Sequence, residues 1–346
     1  MSIQMSDPIV DNLTSPNQAA ASQAASAGRS FDALSSKSLS PEAIIRIKNL
    51  ELRAKVVVEG FMSGLHRSPY HGFSVEFTDY RQYSPGDDLR YLDWKLLARG
   101  DRKYIKRFED ETNLRCYLLV DFSRSMSFQS QSYSKIQYTT TVAATLAYFL
   151  NRQRDAVGLL TFEEKILEVI PPRFRTGHLR RLMMGLERST VGKSTNLSAP
   201  LQQVASTVRK RGLVVLLSDF LTPIENLQKD LGYLRSQGHD VIVLRILDPA
   251  EVTFPFDKAQ TFEDLETGKQ LFIDPETARQ QYQQRFSEHQ LQIQKTCEKL
   301  GVNFFQITTD QPCDQALFDL IQVRKLTGQV ASNRTSRNAA SLGGIQ

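Results

Sequence analysis

Cys116-Tyr117-Leu118-Leu119-Val120-Asp121-Phe122-Ser123-Arg124-Ser125-Met126 is the stretch from which the rest of the chain is read. Its first five residues are a short apolar run rich in strand formers, which predicts a buried strand. Lys135 to Leu150 carries Ile136, Val142, Leu146, Phe149 and Leu150 on one side and predicts a helix. Asp121, Ser123 and Ser125 thus fall in the loop between the carboxyl end of a strand and a helix, where open α/β sheets place ligand sites. Their alternate spacing puts three hard oxygens on one side of the loop, a donor set that suits Mg2+ better than a soft metal. Taken alone, the same spacing also describes a simple turn, because Asp and Ser hydrogen-bond local backbone.

Two later stretches shift that balance. Ser194-Thr195-Asn196-Leu197 is a polar loop before the helical pattern of Ala199 to Arg211. Leu213-Val214-Val215-Leu216-Leu217 is a second apolar strand, and it also ends in an acid, at Ser218-Asp219-Phe220. Neighbouring parallel strands would bring the three loops to one edge of the sheet. The resulting cluster of Asp121, Ser123, Ser125, Thr195 and Asp219 is all oxygen, without His or Cys.

These five positions resemble the metal-ion-dependent adhesion site of von Willebrand factor type A domains. The resemblance implies a divalent ion surrounded by Asp121, Ser123, Ser125 and Thr195, with Asp219 acting through water. It also implies one open coordination position for an acidic residue of a partner. Mg2+ is the expected ion, with Mn2+ or Ca2+ as alternatives.

Composition sets the outer bounds. The 346 residues suffice for one large or two small domains, and 40% hydrophobic with 23% charged content is ordinary for a soluble globular protein. A net charge of +5 is small for this length, so nucleic acid is not implied by charge. Cys116, Cys297 and Cys313 are widely spaced and odd in number, which fits neither a disulfide framework nor a zinc site and suits a reducing compartment. No run approaches the ~20 apolar residues of a spanning helix, and the N-terminus has no charged-then-apolar signal pattern. The expectation is a cytoplasmic protein without a membrane span.

Residues 1–37 are rich in Ser, Ala, Asn and Gln and are expected to be disordered. Ser40-Pro41-Glu42 has the pattern of a helix start, followed by Ile44, Ile47, Leu50 and Ala54 on an apolar side. Phe73, Val75 and Phe77 alternate as in a strand, and Ser84-Pro85-Gly86-Asp87 is turn chemistry. Between Asp79 and Arg99, opposite charges alternate with aromatics. Two roles stay open for this stretch: an ordered loop held by Arg–carboxylate pairs, or a partner-docking surface using Arg81, Asp87, Asp88, Arg90, Asp93 and Trp94. Arg99, Arg102, Lys103, Lys106 and Arg107 form a basic cluster that reads first as a solvated or salt-bridged face.

The same stretch resembles the signature of the bacterial family called domain of unknown function 58, through Phe-Thr-Asp-Tyr-Arg-Gln-Tyr, Pro-Gly-Asp-Asp-Leu-Arg, Asp-Trp-Lys and Ala98-Arg99. The resemblance runs from about Leu39 to Leu326 and includes Leu247-Asp248-Pro249-Ala250-Glu251 and Asp264-Leu265-Glu266-Thr267-Gly268. It implies association with AAA+ ATPases of the MoxR type in chaperone-like complexes that mature or remodel other proteins.

Downstream the pattern alternates between strand and helix. Strands are expected at Ala156 to Phe162, Ile166 to Ile170, Asp240 to Ile246 and Val302 to Ile307, with Pro171-Pro172 ending the second. Helices are expected at Gly177 to Leu186, Leu227 to Gln237 and Asp314 to Leu326, and a long one follows the Asp274-Pro275-Glu276 cap. Residues 249–273 interrupt the alternation as an inserted arm, with strand-like pieces near Thr253-Phe254-Pro255-Phe256 and Gln270-Leu271-Phe272-Ile273. Gly192-Lys193-Ser194 lacks the upstream glycine of a phosphate loop, since Glu187 stands there.

The expected fold is an α/β, doubly wound, mainly parallel sheet of about six strands, von Willebrand factor A or Rossmann-like, with an N-terminal α+β extension. The domain layout is 38–112 for the signature region, 113–326 for the von Willebrand-like domain and 327–346 for a disordered tail. The expected function is a non-catalytic adapter that uses the ion to bind an acidic residue of a client protein. The alternatives are a metal-dependent phosphohydrolase and a metal-independent scaffold docking through residues 79–99. Against the hydrolase, Ser123 stands where such enzymes place a second acid, and no Gly-x-Ser-x-Gly elbow occurs. Nucleic-acid binding ranks below both.

Overall fold

A computed structural model describes residues 40–67, 80–82, 104–106, 114–188, 201–202, 211–263 and 270–323. Its centre is a six-stranded sheet built from β3 (Arg115–Asp121), β4 (Ala156–Phe162), β5 (Ile166–Arg173), β6 (Leu213–Ser218), β7 (Asp240–Leu247) and β10 (Asn303–Thr308). Two short strands precede it, β1 (Tyr80–Gln82) and β2 (Tyr104–Lys106), which pair antiparallel with each other. The spatial order is β10-β7-β6-β3-β4-β5, parallel throughout except for β4 against β5. The sheet is therefore doubly wound and mainly parallel, as the alternation predicts. From β3 the chain runs outward through β4 and β5, then returns to place β6 on the other side of β3. That reversal puts a topological switch point between the carboxyl ends of β3 and β6, where Asp121 and Asp219 stand.

Strand periodicity divides the core. Leu118, Val120, Val215, Leu217, Ile242 and Leu244 point to one face, while Leu119, Val214, Leu216, Val241 and Val243 point to the other. Both sets are buried, which is why these strands read as continuous apolar runs rather than as alternation. The first face is covered by α2 (Leu50–Arg67), α3 (Lys135–Arg152) and α4 (His178–Arg188). The second is covered by α5 (Ile224–Ser236) and α7 (Pro275–Leu300). Ser134 starts α3 with a capping box to Gln137, and Asp274 with Pro275 starts α7. Gly301 ends α7 at φ +64°, a left-handed cap that glycine adopts without a Cβ penalty.

Three local expectations are corrected. Residues 41–54 do not form one helix: α1 (Pro41–Ile45) stops and α2 begins at Leu50, where Asn49 accepts the Leu52 N–H at 2.7 Å. Pro171-Pro172 does not end β5, which continues to Arg173 because it is an edge strand and both prolines fall in the register shift against Gly158 of β4, where a missing N–H costs no ladder bond. The first strand of the arm is not at residues 253–256. Pro249–Thr253 is instead a short helix, α6, and the hairpin pairs β8 (Gln260–Glu263) with β9 (Gln270–Ile273). The cause is the capping box of Asp248 and Glu251, which favours a helical turn over extension.

Candidate metal centre

Asp121 is the last residue of β3, and the ladder to β4 continues one step beyond it through Phe122 N–H to Phe162 O at 2.7 Å. Its carboxylate is fully buried and doubly fixed. Oδ1 accepts the Ser123 N–H at 2.8 Å, and Oδ2 accepts the Ser218 hydroxyl at 2.6 Å. The chain then makes a 3-10 turn at Arg124–Ser127, closed by Met126 N–H to Ser123 O at 3.1 Å. This turn places Ser123 Oγ and Ser125 Oγ 3.1 Å apart. Ser123 is fully buried, whereas Ser125 keeps 8% exposure.

Asp219 follows β6 and is also fully buried. Its Oδ1 accepts the Leu221 N–H at 3.3 Å, and Ser125 donates to its carboxylate. Its Oδ2 lies 2.9 Å from the Lys135 ammonium, which also reaches Glu251 Oε1 at 2.6 Å. Lys135, the first residue of α3, is thus a fully buried cation between two acids from distant parts of the chain. A second buried cation, Arg245 of β7, donates from Nε to Asp219 O at 3.1 Å and lies 5.1 Å from the Phe286 ring centroid. Its two terminal nitrogens have no partner among the described residues.

Burial raises the Asp121 carboxyl to about 7, and the neighbouring Asp219 charge adds to the rise. Burial acts to raise Asp219 as well, but the Lys135 ammonium outweighs it and holds Asp219 below the ordinary carboxylate value. Glu251 ends above its ordinary value, through burial that Lys135 only partly offsets. One acid of the switch point is therefore permanently neutralised by a lysine. The other is poised to gain or lose its proton near neutral pH.

The donor set fits a small hard cation. In an octahedral Mg2+ site, with oxygens at about 2.1 Å, adjacent ligands stand about 3.0 Å apart. The two serine hydroxyls have that separation, which also serves as their hydrogen bond to each other. Asp121 would supply the anchoring charge, and Ser123 and Ser125 the neutral oxygens. Among the described residues no group of three or more His, Cys, Asp or Glu is placed to hold a metal, so any ion here depends on hydroxyls.

The structure brings together Asp121, Ser123, Ser125 and Asp219 of the expected site. Thr195 lies outside the described residues, as do Asp87, Asp88, Arg90, Asp93 and Trp94. Arg81 is described only as a position in β1, opposite Ile105. Sequence reasoning missed Ser218, Lys135, Arg245 and Glu251. Ser218 and Glu251 lie in quoted motifs and carried a usable signal, a polar residue beside a strand-end acid and a capping box after a strand. Lys135 and Arg245 carried none, since a lysine at a helix start and an arginine in a strand usually face solvent.

Comparison with known proteins places these features in context. The family model described as "Protein of unknown function DUF58" matches residues 79–292. An uncharacterised protein of Mycobacterium bovis, Mb1516, is 25% identical over 276 residues, covering 78% of this chain and 86% of the relative. An aerotolerance-related membrane protein from Bacteroides fragilis superposes with a TM-score of 0.44 at 15% identity, over 61% of this chain and 99% of that one. The SpRpn10 VWA domain gives a TM-score of 0.38 at 13% identity, over 59% and 93%.

Proposed function

The chain belongs to the DUF58 family of proteins of unknown function, and from that premise we propose that it is a non-catalytic, metal-dependent protein-interaction adapter. A divalent cation, Mg2+ by its donor set, would be held by Asp121, Ser123 and Ser125. Its remaining coordination would receive a carboxylate from a partner protein, and that contact would carry the specificity. The partners would be a MoxR-type AAA+ ATPase and an acidic client protein that the pair matures or remodels.

One observation carries this proposal. Asp121 is buried and oriented by two hydrogen bonds beside two hydroxyls at cation-ligand spacing, with Ser125 the more exposed of the two serines. A hydrolase would need in addition a base or nucleophile facing the same point. Besides the Ser123 and Ser125 hydroxyls, the described groups around Asp121 are Ser218, which donates to it, and Asp219, which is held by Lys135, so no free base faces those hydroxyls there. The arrangement supports holding a ligand rather than transforming one.

The test is a pull-down from host lysate in Mg2+ and again in EDTA, run beside the Asp121→Ala protein. Recovery of a defined protein, expected to include an AAA+ ATPase, should require both metal and Asp121. Equal recovery in all arms would place docking elsewhere on the chain and sink the proposal.

A further inference from the structure

Lys135 is 0% exposed between Asp219 Oδ2 at 2.9 Å and Glu251 Oε1 at 2.6 Å. Burying an ammonium with two carboxylates is costly unless its partners are held in place. Here they are. Glu251 Oε2 accepts the Asp248 N–H at 2.8 Å, and the Glu251 carbonyl accepts the Tyr282 hydroxyl at 2.7 Å. Asp219 Oδ1 accepts the Leu221 N–H. The lysine is therefore locked onto the very acid that would otherwise serve a cation at Asp121.

Resting on the adapter function proposed above, we infer that Lys135 is a positioning residue that sets ion affinity, by claiming Asp219 and leaving Asp121 as the ion's one effective carboxylate. The charge balance gives this a purpose. Asp219 and Glu251 face Lys135 and Arg245 and Asp121 neighbours Asp219, so these five side chains together carry one net negative charge when Asp121 is ionised. A divalent ion turns that to one net positive charge, and a single partner carboxylate restores neutrality. With Asp219 free, two carboxylates rather than one would face the ion, and it would have less need of a partner.

The test is Mn2+ binding to the full chain, followed by electron paramagnetic resonance of the free ion, with folding checked by circular dichroism. An ordinary outer partner of a metal site costs about 10–100-fold in affinity when removed. Asp219→Asn should instead cost less than about threefold, while Asp121→Asn should cost at least about tenfold. Lys135→Met combined with Glu251→Gln keeps the cluster's net charge but frees Asp219, and should tighten Mn2+ at least about tenfold. Adding Asp219→Asn to that pair should remove the gain.

A loss on Asp219→Asn as large as on Asp121→Asn would overturn the inference and leave the adapter function standing. Should Asp219→Asn fail to fold, the Lys135→Met/Glu251→Gln protein carries the test, and unchanged affinity there overturns it. Wild-type affinity no better than that of Asp121→Asn would overturn the adapter function and the inference together.

Discussion

Asp248 Oδ2 accepts the backbone N–H of Ser130 at 2.8 Å, although 118 residues separate the two. The same carboxylate caps α6 through Ala250 N–H at 2.8 Å and takes the Ser130 hydroxyl on Oδ1. Ser130 lies between the Asp121–Ser125 loop and α3, so the turn after β7 braces the far side of that loop. Glu251, three residues on, braces Lys135. The Asp248-Pro249-Ala250-Glu251 motif thus has a structural purpose at the switch point.

Asp248→Ala should remove both the brace and the helix cap, for a loss of about 2 kcal/mol or more. Asp248→Asn keeps the capping oxygen but loses the charge, and should recover only part. Urea unfolding of the three proteins checks this, and equal midpoints would refute it.

Ion binding should depend on pH through Asp121. Its carboxyl sits at about 7, chiefly from burial, and must lose its proton to hold a cation. Mg2+ affinity should therefore fall about tenfold per pH unit below 7 and level off above it. Calorimetric titration at pH 5.5, 6.5 and 8 measures the trend, and a flat profile would exclude Asp121 as the anchoring charge.

Asp319 gives a separate pH effect on stability. It is buried in the helical stretch 315–323, with Gln315 Nε2 donating to Oδ1 at 3.2 Å, and burial raises its carboxyl to about 7. The folded state thus holds this proton more tightly than the unfolded state, whose value is about 3.9. The contribution is complete below that value and is lost as pH rises through 7. Asp319→Asn should flatten the decline between pH 4 and 7 and raise the melting temperature at pH 8. An unchanged slope would count against it.

Gly158 marks the bulge between β4 and β5, where the register shifts between Val157 and Leu159. A Cβ there would meet Pro172 N at 2.8 Å and Ile170 O at 2.9 Å, both backbone atoms that cannot swing aside. Gly158→Ala should cost about 1–3 kcal/mol. Thermal unfolding measures it, and an unchanged melting temperature would refute it.

Much of the fold was legible because its signals are local. Apolar runs such as residues 213–217, caps such as Ser134 and Asp274, and the stop at Gly301 act over a few residues. Each survives in the sequence as spacing. Competing local signals mislead: Pro171-Pro172 looks like a strand end, but its place in a bulge at the sheet edge removes the penalty. The loop Asp121-x-Ser123-x-Ser125 was also legible, since three donors at alternate positions in one turn are a local fact.

What the sequence by itself determined is therefore the doubly wound architecture and the near half of the candidate site. Only the tertiary structure decided the far half. It sets Ser218 on Asp121, Lys135 between Asp219 and Glu251, and Asp248 on Ser130, across 97, 84, 116 and 118 residues. Such pairs leave no periodicity to read. Whether a lysine at a helix start meets solvent or two buried acids depends on which strand the chain returns beside. That is settled by packing both faces of the sheet at once, not by any one segment.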